Sequence, residues 1–547
     1  MKRFVFLFLA LFFAGFLSAQ QQMHHAAGAI ADAWLMKGIG NHHHPVSTKS
    51  QMAQRYFDQG LTLIFGFNHG AAIRSFKKAT KLDPNLAMAY WGIALATGPN
   101  YNEPEVDFTR NKTAHEACEK AKSLYGTATE VERDYINAMA KRFSNNEKAD
   151  FKKLGMDYRD AMKAVVQKYP DDLDAATIYA ESMMDLNAWK LHGLDGKPAE
   201  GTDEIITVLE SILRSKPLHV GANHLYIHAV EASSSPERAL PSAKRLETLV
   251  PVVGHLVHMP AHIYIRVGDH SAAAKSNAVA IVQDRAYLKR SGDQGMYRAM
   301  YYNHNLHFLS YANMMEGRFL NALKAGREVT ASASPMAKSI PMVEAFVPWS
   351  TFVLVRFRKW DQILKEPAPD QSLHLTNAAW RFARTMAFVS TGNMEKAEQE
   401  RKEFEETAKK VPADQYVGFN KAPDVIEILN HLIDAQIAIS KKDLKSAAEH
   451  YTKAVEKQDT LSYDEPPDFF YPVRESLGGT YLRIGDWKEA ERVFRDDLAR
   501  NPRNGRSLFG LLEALRAQER NPDAFYIQQQ LDAAWKNADT KLRVEDL

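Results

Sequence analysis

A short central stretch of the sequence, residues 220–266, holds the side chains best suited to chemistry. It carries histidines and one glutamate at helical spacings, namely His224, His228, Glu231, His255, His258 and His262. Side chains three or four residues apart lie on one face of a helix, with Cβ atoms about 5–6 Å apart, so these groups can converge. Zinc, iron and copper accept imidazole and carboxylate as ligands. The stretch therefore predicts a site for a divalent transition metal.

These histidines recur with the period of a helical repeat. The two His-x-x-x-His pairs lie 34 residues apart, and Pro217 and Pro251, which we expect to end helices, have the same separation. Aligning the next unit on its Gly-Arg turn gives an offset of 49 residues, which maps His258 onto His307. Three successive helices are thus predicted to carry histidine on one stripe. His307 therefore joins the candidate metal ligands.

A proline leaves the register of the second pair open. Pro260 lies between His258 and His262. Proline is tolerated in the first turn of a helix but not in its interior. Either a helix begins near Pro260 or a longer helix is kinked there, and both arrangements keep the histidines close.

Two segments outside this stretch carry the pattern of a known repeat. The first has Tyr56, Gly60, Ala72, Phe76, Ala79 and Pro84, and the second has Leu477, Gly478, Tyr481, Gly485, Ala490, Phe494 and Pro502. Small residues let paired helices approach closely, large apolar residues fill the gap between them, and proline ends the second helix. The sequence is similar in this respect to the tetratricopeptide-repeat family. Turn signals followed by alanine extend the resemblance over most of the chain.

The resemblance implies an all-α fold, an α-solenoid of antiparallel helix pairs coiled into a superhelix, with the first helix of each pair lining a concave groove. In that family the second, fifth, ninth and twelfth places of a repeat face the groove. The corresponding residues are His255 and His304 (second), His224, His258 and His307 (fifth), His228 and His262 (ninth), and Glu231 (twelfth). Peptide-binding members use lysine, asparagine and arginine there to hold a carboxylate, whereas this chain has histidine.

Two functions follow from this pattern. The first is a groove site that binds zinc, iron or copper, with no reaction indicated, so that enzymatic activity is left open. The second is a scaffold that binds a peptide or a partner protein in the groove without metal, the histidines providing hydrogen bonds and pH sensitivity. A buried polar network between helices would also need no metal. Nine of the 20 histidines lie between His219 and His307, and this concentration slightly favours the metal site.

Composition excludes other classes of function. The 547 residues are 45% hydrophobic and 25% charged, which is typical of a globular chain. The formal net charge is +2, without a long block of either sign, so we expect no nucleic-acid partner. The sequence lacks the glycine-rich phosphate-binding loops and the Gly-x-Ser-x-Gly elbow, so we expect no nucleotide cofactor. Nothing in the sequence indicates an oligomeric state.

The N-terminal residues have the pattern of a secretion signal. Lys2 and Arg3 precede an apolar run over residues 4–17, and small residues follow it before Gln20. The lone Cys118 allows no internal disulfide, and no cysteine near the cleavage region could carry a lipid. The sequence predicts a periplasmic or secreted protein without a membrane span after cleavage.

The same signals predict how the chain is organised. The predicted parts are a signal peptide (1–19), a histidine-containing N-terminal arm (20–50), N-terminal repeats (51–186), an inserted loop (187–201), central histidine-rich repeats (202–331), a connector (332–348), C-terminal repeats (349–535) and a tail (536–547). We interpret the histidine runs of the arm, at 24–25 and 42–44, as solvated, with metal capture as the alternative. Trp189 in the inserted loop could cover the groove.

A second resemblance rests on longer strings. HHHPVST, FGFNHGAAIRSFKKA, GANHLYIHAVEAS and GHLVHMPAHIYIRVGD resemble a group of exported bacterial tetratricopeptide proteins with a histidine-rich central segment. This resemblance implies localisation and fold but no reaction.

Overall fold

The computed structural model describes residues 31–547, so the predicted signal peptide and the first histidine run lie outside the described part of the chain. Helices follow one another along almost all of the described part, and consecutive helices pack against each other. Two strands of two residues each, Tyr416–Val417 and Asn420–Lys421, form a small antiparallel hairpin. The predicted all-α fold of packed helix pairs is confirmed. None of the helices from residue 31 onward is long and apolar enough to cross a membrane.

The α-helices are numbered here in chain order. They are α1 (Gln51–Ile64), α2 (His69–Leu82), α3 (Ala87–Thr97), α4 (Phe108–Lys122), α5 (Glu130–Met139), α6 (Phe151–Lys168), α7 (Leu173–Asp185), α8 (Thr202–Ser215), α9 (Val220–Val230), α10 (Leu240–Leu249), α11 (Gly254–His258), α12 (Pro260–Arg266), α13 (His270–Ser291), α14 (Asn303–Met315), α15 (Phe319–Ala333), α16 (Trp349–Arg356), α17 (Trp360–Ile363), α18 (His374–Ser390), α19 (Met394–Ala408), α20 (Ala422–Ser440), α21 (Leu444–Asp459), α22 (Arg474–Ile484), α23 (Trp487–Arg500), α24 (Gly505–Ala517) and α25 (Asn521–Ala534).

A phenylalanine and a glycine explain how the helices of a pair pack. Phe76 on α2 is fully buried against Gly60 on α1, where an added Cβ would lie 2.6 Å from the ring. Phe494 on α23 is buried in the same way against Gly478 on α22, again at 2.6 Å. Any side chain at these glycines would push the two helices apart, which is why the repeat pattern has a small residue there.

The described chain divides into two compact units. The N-terminal unit comprises residues 31–263 with 279–297, and the C-terminal unit comprises residues 264–278 with 298–547. Six of the seven predicted site residues belong to the N-terminal unit, and His307 belongs to the C-terminal unit.

The break at Pro260 settles the register of the second histidine pair. Helix α11 ends at His258, and α12 begins at Pro260. The structure combines the two arrangements that the sequence left open: a helix begins at the proline, and Met259 before it keeps helical dihedral angles, so that only one residue interrupts the helical path. Proline lacks an N–H group, and the first turn of a helix is the place where that donor is not needed. His255 therefore lies on α11 and His262 on α12.

The described part of the arm packs on the N-terminal unit. The backbone N–H and the hydroxyl of Ser47 both donate to the carboxylate of Glu132 at 2.6 Å, and the hydroxyl of Thr48 donates to Asp83 at 2.6 Å. The interpretation of the arm as solvated is therefore wrong for His42, His44, Ser47 and Thr48, whereas His43 is exposed as expected. Carboxylates from distant helices satisfy the polar groups of this segment, and a local composition argument could not reveal them.

The C-terminal unit contains a buried charged network, which we call the arginine centre (Arg356, Glu475, Asp497, Asn504 and Ser507). The guanidinium of Arg356 donates to both oxygens of Glu475, at 2.9 and 3.0 Å, and both side chains are 1% exposed. Asn504 Nδ2 donates to Glu475 at 2.8 Å and to Asp497 at 2.7 Å, and the Ser507 hydroxyl donates to Asp497 at 2.5 Å. Its carboxylates thus accept hydrogen bonds from within the protein, whereas Nε of Arg356 is buried without a hydrogen-bond partner among the described residues.

Candidate metal centre

The six predicted residues of the N-terminal unit form one buried cluster, which we call the histidine centre. Each is between 0 and 3% exposed, and they are His224, His228, Glu231, His255, His258 and His262. The sequence placed these residues on an open groove, and the structure instead buries them. The physical reason is an aromatic cover, described below, that packs over the rings.

His224 on α9 is held by a backbone carbonyl from the other end of the unit. Its Nδ1 lies 2.6 Å from the carbonyl oxygen of Phe65. A carbonyl oxygen can only accept a hydrogen bond, so the neutral ring carries its proton on Nδ1, and Nε2 is unprotonated. That Nε2 lies 3.1 Å from Nε2 of His255. The fold thus fixes one ring with its metal-binding nitrogen facing a second histidine.

Glu231 fixes the orientation of two further histidine rings. It follows α9 directly, and its Oε1 accepts from Nδ1 of His228 at 2.7 Å. Its Oε2 accepts from Nδ1 of His262, on α12, at 2.5 Å. An ionised carboxylate only accepts, so each ring donates from Nδ1, and in the neutral form of the ring Nε2 carries no proton. One carboxylate therefore orients one histidine from each pair.

The nitrogens opposite these hydrogen bonds face one another. Nε2 of His262 lies 2.8 Å from Nε2 of His258. Nε2 of His228 is buried and has no hydrogen-bond partner among the described residues. Ligand atoms of His224, His228 and His255 all lie within 4.8 Å of one another, which is close enough for a single ion to contact all three.

Burial determines the charge state of these groups. It lowers the pKa of His224, His228 and His255, because an imidazolium loses its hydration in the interior. Burial alone would raise the pKa of Glu231, but the rings of His262 and His228 outweigh it and hold the pKa of that carboxyl below its ordinary value. Near neutral pH the lowered pKa values therefore favour the neutral imidazole, the form that binds metal, at His224, His228 and His255.

Aromatic side chains from three loops cover the centre. Phe67, which follows α1, stacks on His255 with ring centroids 5.5 Å apart. Tyr101 and Trp189 stack on each other at 5.3 Å, and their rings lie 5.0 and 5.6 Å from that of His228. Phe67 and Trp189 have positive φ angles of 52° and 58°, which non-glycine residues rarely adopt. Trp189 of the inserted loop thus takes part in the cover that buries the cluster.

His307 has different surroundings from the six. It lies on α14 in the C-terminal unit, with its ring centroid 3.9 Å from that of Trp349. The ring centroid of Phe346 lies 5.6 Å from that of His307. Burial lowers the pKa of His307 to about 3. Its role as a metal ligand stays a prediction.

Sequence reasoning missed the partners that come from far along the chain. The carbonyl of Phe65 lies 159 residues from His224, and a backbone atom leaves no mark in a residue pattern. The string FGFNH after α1 contributes only to the resemblance to exported tetratricopeptide proteins. Two aromatic residues and a histidine directly after a helix were the available signal, but no spacing connected them to residues 224–262.

The fold and the centre together define a class. This is an all-α protein of packed helix pairs that encloses a polar, histidine-lined centre in one of its units. Residues 53–86 and 474–506 match the family models for the tetratricopeptide repeat. The chain therefore contains tetratricopeptide repeats in these two segments, as the sequence pattern predicted. No curated protein sequence matches the chain significantly.

Solved structures show a low overall likeness. A human IFIT1 dimer with PPP-AAAA is 14% identical with a TM-score of 0.31, and the match covers 89% of this chain and 92% of that one. The APC/C hetero-tetramer Cut9-Hcn1 is 12% identical with a TM-score of 0.30, covering 90% of this chain and 75% of that one. The P58(IPK) TPR domain is 13% identical with a TM-score of 0.21, covering 81% and 99% respectively. These values carry no conclusion about function.

Proposed function

We propose that the histidine centre binds a divalent transition metal, with zinc, copper or iron as the candidates. The observation that carries the proposal is the fixed orientation of three buried rings. The carbonyl of Phe65 and the two oxygens of Glu231 hold protons on Nδ1, and the Nε2 atoms are left facing the interior. A purely structural polar network would pair its buried atoms, whereas Nε2 of His228 has no hydrogen-bond partner within residues 31–547.

The spacing of the nitrogens is suited to such an ion. Two nitrogens bound at 2.0–2.1 Å in tetrahedral geometry lie about 3.3 Å apart. The Nε2 atoms of His224 and His255 are 3.1 Å apart, and those of His258 and His262 are 2.8 Å apart. Outward ring movements of a few tenths of an ångström would admit an ion between either pair. A donor set of imidazoles favours transition metals over calcium and magnesium, which prefer oxygen.

In this proposal Glu231 orients ligands and is not itself one. The sequence pattern placed it among the ligands, but both of its oxygens are engaged by Nδ1 atoms. A carboxylate on the far nitrogen of a ligating histidine fixes the ring and increases its basicity. The five histidines are the ligands, and the tetratricopeptide repeats are the scaffold that brings them together. A peptide ligand, the alternative, would need another surface, because these residues are 0 to 3% exposed.

The test is the metal content of the full-length protein, purified without an affinity tag. The chain is dialysed against zinc, copper or iron, and bound metal is counted by plasma mass spectrometry. We expect His224→Ala/His262→Ala to bind at least one equivalent less than wild type. His115→Ala, which removes a half-exposed histidine on α4, is the control and should bind as wild type does. Equal metal content in the double variant and in wild type would refute the proposal.

We also propose that the protein acts after export, in the periplasm or outside the cell. The support is the basic, apolar and small-residue order of the first 19 residues and the single Cys118, which is buried. Cell fractionation followed by N-terminal sequencing checks this. We expect a mature chain beginning near Gln20 in the exported fraction, and an intact Met1 in the cytoplasmic fraction would contradict it.

A further inference from the structure

The arm brings further histidines to one carboxylate in the N-terminal unit. Asp174, in the first turn of α7, has a side chain that is 9% exposed. His42 Nε2 lies 3.1 Å from its Oδ1, and His44 Nδ1 lies 2.8 Å from its Oδ2. His219 Nε2 lies 3.1 Å from Oδ1. We call these four residues the arm cluster, and none of them belongs to the histidine centre.

The side chains of the three consecutive arm histidines alternate between buried and exposed. The side chains of His42 and His44 are 2% and 13% exposed, whereas that of His43 between them is 57% exposed and is hydrogen-bonded to Asp58. This is the period of an extended segment, in which residues two apart point to the same side. The spacing His-x-His therefore gives two imidazoles on one side of the arm, both directed at Asp174.

One buried nitrogen of the arm cluster has no hydrogen-bond partner in the part of the chain that the structure describes. Nε2 of His42 is 3.1 Å from Asp174, but the geometry makes no hydrogen bond. Buried polar atoms without a partner are rare, and each requires a reason. A cation held between this nitrogen and the carboxylate would provide one.

His219 has a different role from the other two histidines. Its Nδ1 accepts the backbone N–H of Ala222 at 3.2 Å at the start of α9. The neutral ring therefore carries its proton on Nε2, which donates to Asp174. His219 is thus a positioning residue that aims the carboxylate. Nε2 of His42 is an available nitrogen ligand. Nδ1 of His44 holds a proton against Oδ2 of Asp174, and it becomes a ligand when the metal displaces that proton, which also frees Oδ2 to coordinate.

The cluster opens onto a cavity of about 410 Å³. The cavity lining includes His44, Glu132, Asp171, Asp172, Asp174 and Lys216. Four carboxylates against one lysine favour entry of a cation, and the space admits water as a further ligand. Two imidazoles and a carboxylate with one open position form a donor set that zinc accepts.

We propose that His42 Nε2, His44 Nδ1 and the Asp174 carboxylate form a second metal site, for a divalent ion of the zinc class, that fastens the arm to α7. The site is independent of the histidine centre, because no ligand is shared. It explains why a histidine run near the terminus packs against the unit.

The test is zinc titration of the full-length, untagged protein by calorimetry, with the number of bound ions as the readout. The background is His224→Ala/His262→Ala, which removes ligands of the histidine centre. We expect one further equivalent to be lost in His42→Ala/His44→Ala and in Asp174→Asn. His219→Ala should keep the equivalent with about 10–100-fold weaker affinity, as expected for a residue that orients a ligand.

His43→Ala is the matched control, because it removes the exposed histidine of the same run. It should keep the full zinc content. Zinc content unchanged by His42→Ala/His44→Ala, or lost equally with His43→Ala, would overturn the proposal and indicate adventitious binding by the run.

A second measurement keeps the proposal falsifiable if a variant folds poorly. Lys37 and Lys49 on the arm are exposed to trypsin. Zinc should slow cleavage at these lysines by several fold in wild type and not in Asp174→Asn, with circular dichroism confirming that both chains are folded. An identical effect of zinc on both chains would contradict the site.

Discussion

The histidine centre and the arginine centre are both buried polar clusters, and they differ in what the protein alone provides. In the arginine centre, Arg356 donates two hydrogen bonds to Glu475. In the histidine centre, Glu231 holds the outer nitrogens of two rings, and the inner nitrogens face one another. The first cluster is closed by opposite charges. In the second, Nε2 of His228 has no hydrogen-bond partner among the described residues, and the other Nε2 atoms pair only ring to ring. A buried polar group is evidence for a ligand only when the protein leaves it without a matching partner.

The largest effect is expected when the ion pair of the arginine centre is broken. Replacing Arg356 with methionine should cost about 3–5 kcal/mol of unfolding free energy, because the buried Glu475 loses its bidentate partner and keeps only the more distant Arg506, whose Nε lies 4.0 Å away. The double variant Arg356→Met/Glu475→Leu should recover most of this loss. Urea unfolding followed by circular dichroism provides the measurement. Equal losses in the single and the double variant would show that charge pairing does not hold this centre together.

The next effect is a pH dependence of the arginine centre. Burial, together with the nearby Glu475, raises the pKa of Asp497 from 3.8 to about 6. The folded state therefore binds more protons than the unfolded state between about pH 4 and 6, so stability falls as pH rises through this window and is level above it. The full span is about 3 kcal/mol by the size of the shift. Asp497→Asn should flatten this part of the stability profile, and an unchanged slope would contradict the assignment.

Metal should distinguish the two centres in a single experiment. An ion at about 100 times its dissociation constant stabilises the state that binds it by about 2.7 kcal/mol. Hydrogen exchange should therefore slow in α9 (Val220–Val230) on addition of zinc and stay unchanged in α22 (Arg474–Ile484). A chelator should reverse the effect. Equal slowing in both helices would mean that the comparison between the centres is wrong.

The smallest effect tests the orienting role of Glu231. Glu231→Gln keeps the size of the side chain but removes the charge, so metal affinity at the histidine centre should fall about 10–100-fold, or about 1.4–2.7 kcal/mol. Competition with a chromogenic chelator measures the change. Glu247→Gln, on α10, is the control. Complete loss of binding would instead make Glu231 a ligand.

The sequence predicted the parts of the fold and site that depend on local spacing. The 34-residue period identified the repeats and paired His224 with His258, and the three-residue step from His228 found Glu231. Periodicity could not distinguish a groove from a buried centre, because burial depends on Phe67 and other aromatic residues in loops distant along the chain. The arm was misread for the same reason, since His44 and Asp174 are 130 residues apart. Long-range contacts leave no periodic trace.

The position of Glu231 limits how this chain can evolve. Arrays of helical repeats can gain or lose whole units, because each unit contacts mainly its neighbours. Here the carboxylate of Glu231, in one helical repeat, accepts a hydrogen bond from His262 in the next repeat. Deleting either unit, or inserting a copy between them, would separate the two groups. These two repeats must therefore be gained or lost together, whereas repeats without such a contact can be gained or lost singly.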